Sequence, residues 1–270
     1  MSKIIDGKKI AEQKISELKK QFDSQDKQIK VLSYLVGDDP ASLLYSKLKQ
    51  QKASELGIDF EIRHLSKDDD ISQVGREILK FGNRPQITGI MVQLPLPAEF
   101  LANKPLNKFL QLLRPKKDID GLNPRGKYFL PAAVQAVLEI LAYEKIDVKD
   151  KIIAVIGTSD LVGKPLAKKL TQMGANVKTA DISTPSLKGV TQFADIVISA
   201  TGVPGLITED MVQDGVVAID VGTTKVNGKL KGDFDFESVS KKASKITPVP
   251  GGVGPVTIAA LMQNILEASK

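Results

Sequence analysis

The stretch KIIAVIGTSDLVG, residues 151–163, decides the fold. Ile152, Ile153, Ala154, Val155 and Ile156 form an apolar run of strand length that ends on Gly157. Thr158, Ser159 and Asp160 make a polar turn. Over 164–173 the apolar residues Leu166, Ala167, Leu170 and Met173 recur at helical spacing. Strand, glycine turn and helix in that order open a dinucleotide-binding unit. Gly157 permits the tight turn, Gly163 lets helix and strand pack closely, and N–H groups at the helix start face a pyrophosphate. The spacing is Gly-x₅-Gly rather than G-x-G-x-x-G, so these residues alone leave open a buried strand and turn that bind nothing.

Working outward, the chain has 270 residues, enough for two ordinary domains with real cores. A hydrophobic content of 42% with 26% charged residues is that of a globular chain. No apolar run approaches the about 18 residues of a membrane span, and the N-terminus lacks an apolar signal-peptide core. There is no cysteine, which removes disulfides, thiolate nucleophiles and cysteine-based metal sites. His64 is the single histidine, so serine–histidine triads and multi-histidine metal sites have almost no material, and no metal is expected. A cytoplasmic enzyme working through lysine, carboxylate and a cofactor fits what remains. The net charge of +6 suits nucleic acid or an anionic small molecule. The densest basic cluster is Arg114, Lys116, Lys117, Arg125 and Lys127, with no interleaved aromatics of the kind a single-strand binder needs, and nucleic acid is not expected as a partner.

Strands alternate with helices along the whole chain, which means α/β with largely parallel sheets. Asp6 caps a first helix whose stripe is Ile10, Ala11, Ile15, Leu18 and Phe22, and a polar turn follows over 24–27. Strands are expected over 31–36, 58–64 and 87–92, with helices over 41–56, 72–81 and 131–143. Pro40 suits a helix start and Gly57 a helix end. The second half repeats the pattern, with strands over 152–156, 176–180, 196–200, 216–221 and 245–248, a hairpin turn at Asn227-Gly228, and a closing helix over 258–268. Parallel sheets bind ligands outside the carboxyl ends of their strands. That rule selects 37–49 and 93–97 in the first half. In the second it selects 157–163, Asp181, 201–205, Gly222, Thr223 and 248–255.

Several of these stretches together carry a resemblance. Ser42-x-x-Tyr45-x-x-x-Lys49, GIMVQLPLP (89–97), KDIDG (117–121), GTSDLVGKP (157–165), ATGVPG (200–205), DVGTT (220–224) and TPVPGGVGPVT (247–257) occur in that order. The chain resembles the bifunctional methylenetetrahydrofolate dehydrogenase/methenyltetrahydrofolate cyclohydrolase family over essentially its whole length. The resemblance implies two α/β domains. A folate-binding catalytic domain covers 1–122, to which the C-terminal helix (255–270) returns, and a Rossmann-type NAD(P)-binding domain covers 123–254. It also implies a homodimer and tetrahydrofolate derivatives, polyglutamylated ones included, as substrates. The family oxidises methylenetetrahydrofolate with a nicotinamide cofactor and hydrolyses the methenyl product to 10-formyltetrahydrofolate.

Tyr45 and Lys49 lie four apart, so one helix face presents both. Hydride loss from a carbon between two nitrogens needs positioning more than an acid or base. Hydrolysis needs proton transfer, which a lysine of lowered pKa performs. By similarity Lys49 is that group, Gln93 positions it, Tyr45 contacts the folate and Asp120 holds the pterin N–H groups through paired hydrogen bonds. Leu94, Pro95, Gly252, Gly254 and Pro255 complete the substrate side. Gly157, Thr158, Ser159, Val162, Gly163, Asp181, Thr201, Gly202, Gly222 and Thr223 form the cofactor side. Without the resemblance, a solvated lysine beside a half-buried tyrosine stays open. A short-chain dehydrogenase Tyr-x-x-x-Lys would follow the glycine turn rather than precede it.

Two departures stand out. Many family members carry arginine where this chain has Thr158, and that arginine pairs with the extra phosphate of NADP, the family's usual cofactor. Asp181 lies 24 residues past Gly157, where an acid accepts from the ribose hydroxyls of NAD. NAD use is therefore expected beside NADP. Pro131-Ala132-Ala133-Val134 lacks the family's usual threonine and second proline, which bears on how the connecting helix starts. A member keeping only cyclohydrolase activity, and a non-catalytic folate or nucleotide binder, are the alternatives to the bifunctional enzyme.

Overall fold

A computed structural model describes residues 3–25, 27–126 and 128–270. Asp26 of the expected polar turn and Lys127 of the basic cluster lie outside the described residues. In chain order the elements are β1 (Lys3–Ile4), α1 (Gly7–Phe22), β2 (Lys30–Val36), α2 (Pro40–Glu55), β3 (Asp59–Leu65), α3 (Ile71–Gly82), β4 (Gly89–Val92), α4 (Ala98–Leu101) and α5 (Leu106–Leu110). Then come α6 (Ala132–Tyr143), β5 (Ile152–Ile156), α7 (Gly163–Gln172), β6 (Asn176–Ala180), α8 (Leu187–Thr191), β7 (Ile196–Ser199) and β8 (Val217–Asp220). The last are β9 (Thr224–Val226), β10 (Lys229–Lys231), α9 (Phe236–Val239), β11 (Lys245–Ile246) and α10 (Val253–Ser269).

The chain divides into two compact units. One holds Lys14–Ala132 with Ala260–Lys270; the other holds the chain up to Gln13 with Ala133–Ala259. The start of the chain therefore groups with the second half. The cause is β1, which sequence reading did not find: Lys3 and Ile4 pair in parallel with Lys245 and Ile246 of β11.

The first unit is built on a parallel sheet in the order β3-β2-β4. Its central strand β2 is buried along nearly its whole length, so it reads as a continuous apolar run rather than an alternation. Leu32, Tyr34, Ile90, Met91 and Ile119 are fully buried around it. Phe100 and Phe109 meet edge to face with centroids 5.7 Å apart. The last helix closes this core: Asn264 Nδ2 donates to the Ile119 carbonyl at 2.8 Å, and Ser269 Oγ donates to Gln25 Oε1 at 2.9 Å.

The second unit is a six-stranded sheet in the order β1-β11-β8-β7-β5-β6, with every paired strand parallel. Strand β5 divides its side chains between two cores. Ile153 and Val155 join Val137, Ile140, Leu166 and Leu170 on one face. Ala154 and Ile156 join Val197, Ala218 and Phe234 on the other. A strand covered on both faces must be apolar throughout, which is why 152–156 lacks alternation. Each large aliphatic side chain buried there contributes about 1.5–3 kcal/mol. The expected hairpin is present as β9 and β10, with Asn227 and Gly228 both at positive φ, the requirement of a type I′ turn. Met173 departs from expectation: α7 stops at Gln172 and Met173 is 42% exposed, off the buried stripe.

Candidate functional site

The site in the first unit starts from the cap of α2. The Asp39 carboxylate accepts from Ser42 N at 2.7 Å, and Pro40 occupies the first turn, where it lacks no needed donor. That start directs Tyr45 and Lys49 onto one face. Lys49 is buried at 4% exposure, its Nζ donates to Gln93 Oε1 at 3.0 Å, and it lies 5.3 Å from the centroid of the Tyr45 ring. Gln93 follows β4 directly. Its backbone N–H donates to the Tyr34 carbonyl at 2.8 Å and its Nε2 to the Leu94 carbonyl at 2.7 Å, which turns Oε1 toward the lysine.

Asp120 is half-buried and within electrostatic reach of Lys49. Burial lowers the lysine pKa, and the Asp120 charge opposes that shift. Burial raises the Asp120 pKa, and Lys49 pulls it back. The turn carrying Asp120 is pinned from several sides. Ile90 N donates to the Lys117 carbonyl at 2.6 Å and Gly121 N to the Asp118 carbonyl at 3.0 Å. Gly121 sits at φ +68, and a Cβ there would come 2.7 Å from the Leu130 carbonyl carbon, so no side chain fits.

Asp118, Asn123 and Asn264 were missed by sequence reading. Asp118 is 1% exposed; its Oδ2 accepts from Asn123 N at 2.6 Å, and burial pushes its carboxyl up to about 7. Asn123 Nδ2 donates to the Leu113 carbonyl at 2.6 Å. The KDIDG stretch marked a turn, but not which carboxylate is buried. Lys117 of the basic cluster is tied into the fold rather than left to solvent. Its ammonium donates to the carbonyls of Arg84 and Ile87, and burial, with Arg114 nearby, lowers its pKa.

In this unit the structure brings together Lys49, Gln93, Tyr45 and Asp120, with Leu94 half-buried and Pro95 exposed just beyond. Gly252, Gly254 and Pro255 belong to the six-stranded unit. There Gly252 lies against α1: a Cβ on Gly7 would come 1.8 Å from the Gly252 carbonyl oxygen.

The glycine turn of the second unit closes as its spacing requires. A Cβ on Gly163 would sit 1.7 Å from the Gly157 carbonyl oxygen, and one on Gly157 (φ +95) 2.6 Å from that of Ala200. The cradle therefore fits a dinucleotide backbone, with no side chain between α7 and β5. The helix start is less bare than expected. Ser159 Oγ accepts from Val162 N at 3.2 Å and Gly163 N at 3.5 Å, Lys164 N donates to the Ser159 carbonyl, and Pro165 has no N–H. The α7 terminus thus offers an anion its dipole more than unpaired donors.

At the end of β6, Thr158 Oγ1 donates to Asp181 Oδ2 at 2.8 Å, and Ser183 N and Oγ donate to Oδ1 at 2.9 and 2.6 Å. Hydrogen bonds from Ser183 and Thr158 hold this exposed carboxyl below its usual range, so it is ionised. Beyond β7, Thr201 N and Oγ1 donate to Asp233 Oδ2 at 2.7 and 2.9 Å, and the Gly202 carbonyl accepts from Thr224 Oγ1 at 2.6 Å. Gly222 is buried and Thr223 exposed. Asp220 is 4% exposed, accepts from the N–H groups of Asp233 and Phe234, and is pushed by burial up to about 7. Sequence reading placed Gly222 and Thr201 here but missed the carboxylates Asp220 and Asp233 beneath them.

Residues 5–120 match the catalytic domain of tetrahydrofolate dehydrogenase/cyclohydrolase, and residues 131–270 match its NAD(P)-binding domain. The bifunctional protein FolD of Lactobacillus acidophilus is 41% identical, with 100% of this chain and 98% of that protein covered. That of Hydrogenobaculum sp. is 39% identical, with 99% and 98% covered. The crystal structure of the bifunctional enzyme FolD from Campylobacter jejuni aligns at a TM-score of 0.93 and 36% identity, over 100% and 99% of the chains. The Trypanosoma brucei enzyme, complexed with NADP and an inhibitor, aligns at 0.91 and 30% identity, over 99% and 97%. With both halves matched in order and relatives of this identity spanning it end to end, the chain belongs to the tetrahydrofolate dehydrogenase/cyclohydrolase family.

Proposed function

We propose that this chain oxidises methylenetetrahydrofolate to methenyltetrahydrofolate with a nicotinamide dinucleotide and hydrolyses the product to 10-formyltetrahydrofolate, with Lys49 as the proton-transfer group. Membership of the family carries the pair of reactions. The observation that carries the lysine assignment is its buried amine, hydrogen-bonded to Gln93 and electrostatically coupled to Asp120.

The bound nicotinamide supplies a hydride acceptor. Hydride leaves the folate carbon that lies between two nitrogens, and their lone pairs stabilise the cation left behind. Hydrolysis then adds water to the methenyl carbon. A neutral Lys49 amine takes one proton from that water as the C–O bond forms, the ammonium returns it to the ring nitrogen as that nitrogen's bond to the carbon breaks, and the remaining hydroxyl proton passes to solvent as the formyl C=O forms. Gln93 keeps the amine pointed at the reacting carbon, Asp120 accepts from the pterin N–H groups, and Tyr45 contacts the folate. The cradle of Gly157, Ser159, Val162 and Gly163 and the loops at Thr201, Gly202, Gly222 and Thr223 hold the dinucleotide.

For cofactor choice, the ionised Asp181 with Thr158 beside it favours NAD: it accepts from ribose hydroxyls and repels a 2′-phosphate. A homodimer belongs to the same proposal.

One spectrophotometric assay, following the reduced nicotinamide and the methenyl band together, tests the whole reading. Lys49→Ala should slow hydrolysis by about 10²–10⁴ while dinucleotide affinity stays within about twofold. Undiminished hydrolysis removes Lys49 from its role. With both cofactors compared, kcat/KM for NAD should equal or exceed that for NADP; a strong NADP preference overturns the Asp181 assignment.

A further inference from the structure

Asp233 lies just past β10 and is 1% exposed. A carboxylate so placed is costly unless its partners repay the lost hydration. Its Oδ2 takes three bonds: from Ser199 Oγ at 2.7 Å, Thr201 N at 2.7 Å and Thr201 Oγ1 at 2.9 Å. All three donors sit at the carboxyl end of β7, where parallel sheets bind ligands. The loop they hold is the one that packs on the glycine turn, since a Cβ on Gly157 would meet the Ala200 carbonyl at 2.6 Å and Thr201 Cγ2 at 3.4 Å.

The other oxygen explains a glycine. A Cβ on Gly222 would lie 2.0 Å from Asp233 Oδ1, although the Gly222 backbone is not in the left-handed region. Space for this carboxylate, rather than backbone freedom, is what glycine provides at 222.

We propose that Asp233 is a positioning residue for the dinucleotide: it anchors the Thr201–Gly202 loop against the glycine turn, and Gly222 is small in order to admit it. The proposal rests on dinucleotide binding by this unit and goes beyond it in naming what sets the loop.

The test measures dinucleotide Kd by titration, KM and kcat for hydride transfer, and hydrolysis without dinucleotide. Asp233→Ala should raise Kd and KM by about tenfold or more, as expected for losing charge-assisted hydrogen bonds, with a much smaller change in hydrolysis. Asp233→Asn should restore binding to within about threefold, because a single oxygen does the accepting. Gly222→Ala, which pushes the carboxylate aside without deleting it, should raise Kd similarly. In the Asp233→Ala background it should add little, because the obstacle is gone. Unchanged Kd in Asp233→Ala, parallel loss of hydrolysis and binding, or full additivity of the two substitutions would each overturn the proposal. Dinucleotide binding by the unaltered chain checks the reading beneath it separately.

Discussion

Taking an ammonium or a carboxylate out of water costs several kcal/mol unless charge and hydrogen bonds replace the lost hydration. Lys49 and Asp120 meet that cost partly through each other, and each pulls the other's pKa back toward its ordinary value. Among the described residues, no cation is found to offset the burial of Asp118 in that way. Burial raises its carboxyl from the usual range to about 7, and the nearby Asp120 charge adds to the rise. The sign follows from linkage: a group whose folded pKa is raised holds its proton more tightly when folded, so its contribution is present at low pH and is lost as pH rises toward about 7. Asp118→Asn mimics the protonated form. Thermal melts across that window should show a flatter fall of Tm with rising pH than in the unaltered chain. An unchanged slope removes Asp118 as its source. At this scale the residue types of the site were legible, because lysine, glutamine and aspartate stood in recognisable motifs. Which carboxylates are buried was not, since burial depends on residues far away in the chain.

Elements follow local rules, and most were readable. Strands β5 and β6 occupy the expected residues because a five-residue apolar run and its glycine boundary are local facts. The altered segment around Pro131 starts its helix all the same: α6 begins at Ala132, whose N–H donates to the Asp120 carbonyl at 3.3 Å. The strand β1 was missed because two residues have no periodicity; only pairing with β11 makes them a strand. Helix α7 starts close against the glycine turn that follows β5. Gly163→Ala would set a Cβ 1.7 Å from the Gly157 carbonyl oxygen, which neither backbone can yield without moving the helix. The expected outcome is a loss of about 1–3 kcal/mol in denaturant unfolding together with weakened dinucleotide binding in titration. Wild-type affinity in that variant would show that the cradle tolerates a wider turn.

Over the whole molecule, contacts distant in sequence decide where the chain begins and ends. Glu144, its side chain 4% exposed, takes Lys3 at 2.8 Å and Lys245 at 2.9 Å, and Lys245 Nζ also reaches the Glu144 carbonyl at 2.7 Å. The two lysines hold its carboxyl below the usual range against the effect of burial. Glu144→Gln should lower stability by about 1–2 kcal/mol, discounted from a fully buried pair because Lys3 is largely exposed, and should speed amide exchange at Ile5. Unaltered exchange at Ile5 would mean that strand pairing alone holds the N-terminus. Among the described residues no helix is long and apolar enough to cross a membrane. By itself the sequence determined the alternation of strands and helices, the glycine turn, the helix caps and the motifs of the family, because each depends on residues within a few positions of one another. Only the tertiary structure decided that the chain's start joins the six-stranded sheet and that Asp118, Asp220 and Asp233 are buried. Pairing and burial bring together residues up to 244 positions apart, as in Ser269 with Gln25, and no local pattern encodes that meeting.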